Sequence, residues 1–192
     1  MEELECSSLI DEVIEAAGIL FFRGLNTLRT GNVSARCGDF IVMTPSGADK
    51  HALTRRDLVF YDLKRMTFIG FRRPTSEYRM HIQAYTHNEH IKSVVHAHNP
   101  KAIEVLREAS LAGVEEFALL GRLCIAERAP PGSQELANSV GKLSRDCDVI
   151  ILPEHGAVAF GDRPLTAVEK LLVLERIAEL ILASRSGVRA NR

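Results

Sequence analysis

The segment Val94-Val95-His96-Ala97-His98-Asn99-Pro100 constrains the fold more tightly than any other part of the sequence. Its two β-branched residues favour an extended backbone, and Asn-Pro ends the run. Residues i and i+2 of a strand point to the same face, so His96 and His98 lie side by side with Cα atoms about 6.5–7 Å apart. Both imidazoles can then reach one ion at about 2.0–2.1 Å, the usual zinc–nitrogen distance. We therefore expect a strand that carries half of a metal site, although two stacked imidazoles without a metal fit the same pattern.

The composition is that of a globular protein with a full core. The 192 residues are 46% hydrophobic and 26% charged, which predicts one domain over residues 1–192. A formal net charge of -1 without a basic block argues against nucleic acid as a partner. Glu2, Glu3 and Glu5 stand where a signal peptide is basic, and no apolar run reaches membrane-spanning length. We therefore expect a cytoplasmic protein with no membrane partner.

The four cysteines are widely separated in the sequence and form no C-x-x-C pair. They are Cys6, Cys37, Cys124 and Cys147. Because a disulfide framework is unusual in a chain of this size, we expect reduced thiols in a cytosolic compartment.

Hydrophobic periodicity predicts a chain of mixed α and β elements. Helices are expected over residues 4–24, 75–89, 102–110, 134–145 and 166–184. Strands are expected around Val33 and over residues 40–43, 58–62, 66–71, 121–125, 149–152 and 157–160. Ser133 is the expected N-cap of the fourth helix, and Thr75 or Ser76 that of the second.

Two turn segments have the composition of an anion-binding loop. Gly31-Asn32-Val33-Ser34 and Thr44-Pro45-Ser46-Gly47 combine glycines, which permit close backbone approach, with short polar side chains. Such segments can hold a phosphate through backbone N–H groups and hydroxyls, without a lysine. Ordinary turns use the same residues, so the pattern alone leaves both interpretations open.

A glutamate and four further histidines have spacings that a site could use. Glu77 and His81 are four residues apart and His87 and His90 three apart, so each pair can share a helix face. The helix dipole also stabilises a glutamate in the first turn and a histidine in the last without any metal, and we do not expect His81, His87 or His90 to be ligands. His155 lies in a loop between two apolar strands, where it can face a site or simply close a turn.

Five motifs taken together resemble the class II aldolase/adducin family, most closely its L-fuculose-1-phosphate aldolase branch. In chain order they are Gly31-Asn32-Val33-Ser34, Thr44-Pro45-Ser46-Gly47, Pro74-Thr75-Ser76-Glu77, His96-Ala97-His98 and Glu154-His155-Gly156. The resemblance runs from about residue 9 to residue 184. It implies an α/β fold, a three-layer α/β/α domain around a mixed, mostly antiparallel sheet. It also implies a homotetramer with active sites at subunit interfaces.

The resemblance further implies roles for individual residues. His96, His98 and His155 would bind one Zn²⁺ per subunit, and Glu77 would both reach the metal and act as the acid and base. The substrate phosphate would be bound by Gly31, Asn32, Ser46, Gly47, Thr75 and Ser76. Three neutral histidines leave one zinc position open, as catalysis requires, and such ligands also accept other divalent transition metals.

The activity implied by the resemblance is that of a zinc-dependent aldolase. It would cleave a ketose 1-phosphate of the L-fuculose 1-phosphate type reversibly to dihydroxyacetone phosphate and an aldehyde such as L-lactaldehyde. A dehydratase or 4-epimerase acting on a sugar phosphate with the same metal site is the alternative within the family. A non-catalytic adducin-like interaction module is a third interpretation, but such a module would be expected to lose the ligands that this sequence retains.

Overall fold

A mixed β-sheet is the centre of the computed structural model, which describes residues 2–105 and 117–189. Its strands in these residues are β1 (Asn32–Cys37), β2 (Phe40–Met43), β3 (Val59–Asp62), β4 (Thr67–Ile69), β5 (Ser93–Ala97), β6 (Leu123–Ile125), β7 (Val149–Leu152) and β8 (Gly156–Gly161). They lie side by side in the order β4-β3-β2-β1-β5-β8-β7-β6. β6 and β7 run parallel, and the other neighbouring pairs in this order are antiparallel.

Helices cover both faces of the sheet. They are α1 (Glu2–Phe22), α2 (Tyr78–His87), α3 (Pro100–Val105), α4 (Phe117–Leu120), α5 (Gln134–Leu143) and α6 (Pro164–Arg189). α1, α3 and α6 share one apolar core with the sheet, and α2 and α5 share a second core on the opposite face. The expected three-layer α/β/α architecture is confirmed. None of the helices in the described residues has the length and apolar character needed to cross a membrane.

Most predicted elements lie where the periodicity places them. The helix expected over residues 102–110 begins at Pro100, and its part beyond Val105 lies outside the described residues. The strand expected over residues 66–71 is shorter, because Met66 takes a positive φ of 54° in the preceding turn. Ser133 caps α5 as expected, since its Oγ accepts a hydrogen bond from the Leu136 N–H at 3.1 Å.

The two faces of β5 explain how the sheet positions its histidines. Ser93–Ala97 is buried along its whole length, as befits a central strand. Val95 packs into the core of α1 and α6, whereas Val94 packs into the core of α2 and α5. His96 follows Val94 by two residues, so its side chain lies on the α2–α5 face of the sheet.

Helix α2 begins later than the sequence suggests. Its N-cap is Glu77, not Thr75 or Ser76, and the Glu77 side chain makes no capping hydrogen bond. The Thr75 hydroxyl instead accepts a hydrogen bond from the Glu77 N–H at 3.3 Å. Glu77 therefore lies just before the first helical turn, and its carboxylate is not used to stabilise the helix.

The expectation of reduced thiols is wrong. The structure joins Cys6 to Cys37 and Cys124 to Cys147 in disulfides, with Cα–Cα distances of 5.3 and 6.0 Å. The partners are 31 and 23 residues apart in sequence. They meet because α1 packs on β1 and because β6 runs beside β7, which Cys147 shortly precedes. Such pairing depends on the tertiary fold, so the spacing of the cysteines carries no sign of it.

Candidate functional site

Three histidines converge at one end of the central strands. His96 belongs to β5, His98 follows the same strand, and His155 lies in the turn between β7 and β8. β5 pairs with β8 through Ala97 opposite Ala157, which brings the turn over the end of β5. One ring nitrogen from each histidine lies within 4.8 Å of the other two. The strand argument for His96 and His98 therefore extends to a third histidine that is distant in sequence.

The backbone around the histidines is unusual. Asn99 and Glu154, each next to one of them, have positive φ angles of 42° and 62°. Gly156 follows His155, and a Cβ at this position would lie 2.9 Å from the Cα of His98 and overlap the carbonyl of Ala97. Only a glycine allows the turn to approach β5 this closely. Strained backbone of this kind persists where the surrounding structure holds it in place, often at functional sites.

The hydrogen bonds of His96 leave one of its ring nitrogens free for a ligand. Its Nδ1–H donates to the carbonyl of Ala157 at 3.0 Å, so the neutral ring carries its lone pair on Nε2. The Nε2 atom of His96 and the Nδ1 atom of His155 are buried without a hydrogen-bond partner. Buried polar atoms are rarely left unpaired, and convergent imidazole nitrogens form the kind of donor set that a divalent transition metal takes. The residues present therefore fit a metal ion.

The three histidines are held neutral, which is the form that binds metals. Burial lowers the pKa of His96 well below its usual value, and the neighbouring His155 and His98 lower it further. Burial also lowers the pKa of His98, and burial together with His98 lowers the pKa of His155 to about 4. No proton has to leave these rings before a metal binds at neutral pH.

Glu77 is placed beside the histidines by the turn that precedes α2. Its side chain is buried, with 4% exposure, and it lines the same cavity as His96, His98 and His155. Burial raises the pKa of the Glu77 carboxyl, opposed by a hydrogen bond from the backbone of Gly132. Its Oε2 atom has no hydrogen-bond partner. The cluster of mutually close nitrogens does not include Glu77, so its role as a metal ligand stays a prediction.

The cavity has a volume of about 300 Å³ and opens to solvent. All six residues predicted to bind phosphate line it: Gly31, Asn32, Ser46, Gly47, Thr75 and Ser76. Pro45 of the second motif also lines it, as do four residues outside the motifs: Arg29, Thr30, Lys50 and Pro131. Loops from three separate parts of the chain thus meet the histidine cluster in one cavity.

Hydrogen bonds tie these three loops together. The Thr44 hydroxyl accepts from the N–H of Val33 at 3.2 Å, and the Thr44 N–H donates to the Val33 carbonyl at 3.0 Å. The Ser46 N–H donates to the carbonyl of Arg73 at 3.0 Å, which fixes the second loop to the third. Their convergence follows from the antiparallel order of the sheet, so it does not depend on a ligand.

A further contact joins the first loop to the histidines. The Asn26 side chain accepts a hydrogen bond from the N–H of His98 at 3.0 Å. Gly31 has a φ of 68°, and a Cβ on it would overlap the Asn26 side chain. Glycine at this position is therefore required by the packing of the loop against the residue that orients His98.

Lys50 is the pocket residue that sequence reasoning most clearly missed. It is buried, with 3% exposure, and its ammonium donates to the carbonyls of Pro45 at 2.9 Å and Ala48 at 3.4 Å. Burial lowers the pKa of Lys50 to about 8, partly offset by the charge of Asp49. A buried cation whose partners are carbonyl oxygens creates a positive potential in the cavity. Lysine is so rarely buried that no sequence signal marks this one.

The remaining candidate histidines do not join the cluster. His81 is fully buried and hydrogen-bonded to side chains of β1. The Nδ1–H group of His87 donates to the carbonyl of Gln83 within α2, and His90 is exposed. Among the described residues, the group of possible metal ligands consists of His96, His98 and His155. That the other three histidines are not ligands stays a prediction.

Comparisons with known proteins agree with the geometry. A family model described as "Class II Aldolase and Adducin N-terminal domain" matches residues 11–182. The L-fuculose phosphate aldolase of Methanococcus maripaludis strain S2 is 33% identical over 174 residues, which is 89% of this chain and 94% of that protein. The 5-methylthioribulose-1-phosphate/5-deoxyribulose-1-phosphate aldolase of Rhodospirillum rubrum is 33% identical over 172 residues, covering 87% of this chain and 77% of that protein. A solved L-fuculose 1-phosphate aldolase superposes with a TM-score of 0.84 at 28% identity, covering 94% of this chain and 87% of that one.

Proposed function

The chain belongs to the class II aldolase and adducin family, and from that premise we propose that it is a metal-dependent aldolase acting on a ketose 1-phosphate. The proposed substrate is L-fuculose 1-phosphate or a sugar phosphate of that type. Cleavage would reversibly give dihydroxyacetone phosphate and an aldehyde such as L-lactaldehyde. The observation that carries the proposal is the shared cavity, because the three histidines, Glu77 and all six predicted phosphate-binding residues line it.

The metal that we propose is Zn²⁺, one ion per subunit, with His96, His98 and His155 as its ligands. Their converging, neutral rings support this choice. A divalent metal held there supplies Lewis-acid stabilisation of negative charge on a carbonyl-derived oxygen. The same nitrogen donors suit manganese, cobalt or iron, so metal analysis of the purified protein tests the identity.

Glu77 is the proposed acid and base. Breaking the C3–C4 bond of a ketose 1-phosphate removes the proton of the C4 hydroxyl, whose carbon becomes the aldehyde. The electron pair of the broken bond stays on the dihydroxyacetone phosphate half, which must gain a proton at C3. In the synthetic direction the same proton is removed. Burial raises the pKa of the Glu77 carboxyl, which makes it easier for this group to hold the proton that it would transfer. We also propose that the Glu77 carboxylate is the fourth ligand of the metal ion, beside the three histidines.

The phosphate end of the substrate would bind the loops on the other side of the cavity. Backbone N–H groups at Gly31 and Gly47 and the hydroxyls of Ser46, Thr75 and Ser76 are donors of the required kind. The buried ammonium of Lys50 adds a positive charge close to these loops. Binding energy at this end holds the reacting carbons beside Glu77 and the histidines, away from the phosphate.

The direct test is an assay of ketose 1-phosphate cleavage by the zinc-loaded protein and by Glu77→Gln. We expect the variant to bind zinc and phosphate but to lose about 10²–10⁴ in kcat, the usual contribution of a general acid or base. Glu135→Gln, an exposed glutamate of α5, is the matched control. Undiminished cleavage by Glu77→Gln would remove Glu77 from the mechanism.

A second candidate substrate is 5-methylthioribulose 1-phosphate or 5-deoxyribulose 1-phosphate. The Rhodospirillum rubrum aldolase named for these compounds is as similar to the chain, at 33% identity, as the Methanococcus maripaludis enzyme. Both substrates release dihydroxyacetone phosphate and differ in the aldehyde. A screen of ketose 1-phosphates with analysis of the aldehyde distinguishes them. The same analysis reveals a dehydratase by loss of water and a 4-epimerase by inversion without cleavage.

The assembly and location of the protein are also proposals. We propose a homotetramer, as in the family resemblance, and light scattering of the purified protein tests it. We propose a cytoplasmic location, where sugar phosphates are metabolised. Disulfides such as Cys124–Cys147 are typical of oxidising compartments or of intracellular proteins from hyperthermophiles. Alkylation of thiols in intact cells, followed by mass measurement, shows the redox state of the protein where it acts.

A further inference from the structure

A chain of buried hydrogen bonds leads from the core of the sheet to the edge of the cavity. The Oγ atom of Ser34 lies 2.9 Å from the Tyr85 hydroxyl and 2.6 Å from Nδ1 of His81. Nε2 of His81 lies 2.5 Å from Oδ1 of Asn32. Ser34 and His81 are fully buried, and Tyr85 and Asn32 are 2% and 5% exposed. The last of these residues, Asn32, lines the cavity.

The direction of the donors in this chain follows from its Asn32 end, where Oδ1 of the carboxamide faces Nε2 of His81 and can only accept a hydrogen bond. Nε2 of His81 therefore carries the proton of this contact, and Nδ1 of the neutral ring accepts the hydroxyl proton of Ser34. The Ser34 oxygen is then able to accept from the Tyr85 hydroxyl. His81 is neutral, since complete burial lowers its pKa to about 3, and its single proton is therefore on Nε2. That proton is donated to Oδ1 of Asn32.

This order fixes which end of the Asn32 carboxamide faces the ligand. Its oxygen is held by His81 on the core side, and the amide NH₂ group is the end left for the cavity. Asn32 also stands opposite His96 in the pairing of β1 with β5, so the two side chains lie on the same face of the sheet. An NH₂ group donates hydrogen bonds and cannot accept them, which favours anionic oxygens over donors.

We propose that His81 is a positioning residue, which holds the Asn32 carboxamide so that its NH₂ group binds an anionic oxygen of the ligand. The identity of this ligand as a sugar phosphate rests on the proposed function, but the orientation of Asn32 does not. His81 makes no contact with the ligand and acts through Asn32 alone. Without its Nε2–H, the carboxamide can rotate and present its oxygen, which repels phosphate.

The position of the proton on His81 is the first test. In ¹⁵N-labelled, metal-free protein, long-range ¹H–¹⁵N spectra report which ring nitrogen is protonated. We expect the Nε2–H form and a shift of the Asn32 side-chain NH₂ signals on titration with inorganic phosphate. This experiment uses the wild-type protein, so Tyr85, Ser34 and the other hydrogen-bonded residues are unchanged. A proton on Nδ1, or Asn32 signals that do not respond to phosphate, would overturn the proposal.

Two substitutions at His81 provide the second test. His81→Leu removes the donor, whereas His81→Gln retains an amide that can donate to Asn32 and an oxygen that can accept from Ser34. We expect His81→Leu to raise the Kd of inorganic phosphate and the KM of the ketose phosphate about tenfold, with kcat changed less than twofold. His81→Gln should restore most of the loss. A merely structural role predicts lower stability in both variants without this separation of KM from kcat.

The outcomes separate this inference from the proposed function. Weaker phosphate binding by His81→Leu in a protein that cleaves none of the ketose 1-phosphates would support the role of His81 and reject the aldolase proposal. If the protein is an active aldolase and His81→Leu leaves both Kd and KM unchanged, the aldolase proposal is supported and the role of His81 is rejected. If His81→Leu does not fold, the proton position and the Asn32 titration in the wild-type protein decide alone.

Discussion

Gly156→Ala tests whether the close approach of the β7–β8 turn to β5 builds the histidine cluster. The new Cβ would lie 2.9 Å from the His98 Cα, which is about 0.6 Å less than the shortest favourable carbon–carbon contact. Gly156 also has a φ of 148°, where an L side chain is strained. The strain costs about 1–3 kcal/mol, and overpacking costs a similar amount. We therefore expect a loss of about 2–6 kcal/mol in the free energy of unfolding, reduced by whatever the turn can relax.

The relaxation itself should weaken metal binding. The turn can relieve the contact only by moving away from β5, and this movement separates His155 from His98. Small displacements of ligand-supporting groups typically reduce metal affinity about 10- to 100-fold. Urea unfolding of the metal-free protein measures the first effect, and competition with a chelator of known zinc affinity measures the second.

Gly18→Ala is the matched control. Gly18 lies within α1, and a Cβ there would meet no atom within 4 Å. We expect this control to gain about 0.5–1 kcal/mol, because alanine has less conformational freedom to lose than glycine in a helix. Full zinc affinity and full stability in Gly156→Ala would show that the close approach is not what holds the cluster, and the reasoning would fail.

Two further predictions concern the rest of the site. Lys50→Met should weaken inorganic phosphate binding about 10- to 100-fold, the effect of losing one charge-assisted interaction. Lys142→Met, on the exposed face of α5, is the control and should leave phosphate binding unchanged. Calorimetry measures the affinity of both variants, and equal affinities would exclude Lys50 from the anion site. The folded-state pKa of His81 is about 3 and its unfolded value about 6.5, so the unfolded chain binds the extra proton between these values and stability falls as the pH is lowered. Relative to His81→Gln, the wild-type protein should lose up to about 1.4 kcal/mol per pH unit from pH 6 to pH 4 in urea unfolding, and parallel pH profiles would contradict the buried, neutral His81.

The local sequence pattern was sufficient to predict features that depend on a single strand or a single turn. The β-branched lead into His96 and His98 predicts β5, and the period of two places both rings on one face. The same reasoning finds the strands on either side of His155 but does not bring this residue to the others. That step needs the β5–β8 pairing, which periodicity does not encode, and the resemblance supplied it.

The features that sequence reasoning missed all depend on tertiary contacts. From the sequence alone, Lys50 would be expected to be a solvent-exposed charge. In the structure its ammonium is buried and donates to the carbonyls of Pro45 and Ala48. The family resemblance named Glu77 as a site residue, but its position as the N-cap of α2, with its side chain lining the cavity, was not predicted from the sequence. The sequence favours no ligand role for His81, but its hydrogen bonds to two strand residues could not be seen from its spacing within α2.

The distribution of unpaired polar atoms links the stability of the fold to the proposed chemistry. Among the described residues, the buried side-chain atoms without a hydrogen-bond partner belong to Glu12, Glu77, His96, Asn99 and His155. Three of these five line the cavity, and Asn99 directly follows His98. Each such atom costs about 1–3 kcal/mol, a penalty that proteins keep only where selection requires it. A ligand that pairs these atoms should therefore stabilise the folded chain as well as react in it. Unpaired atoms of two histidines and of the carboxylate beside them thus lie where the metal and the transferred proton are proposed to be held.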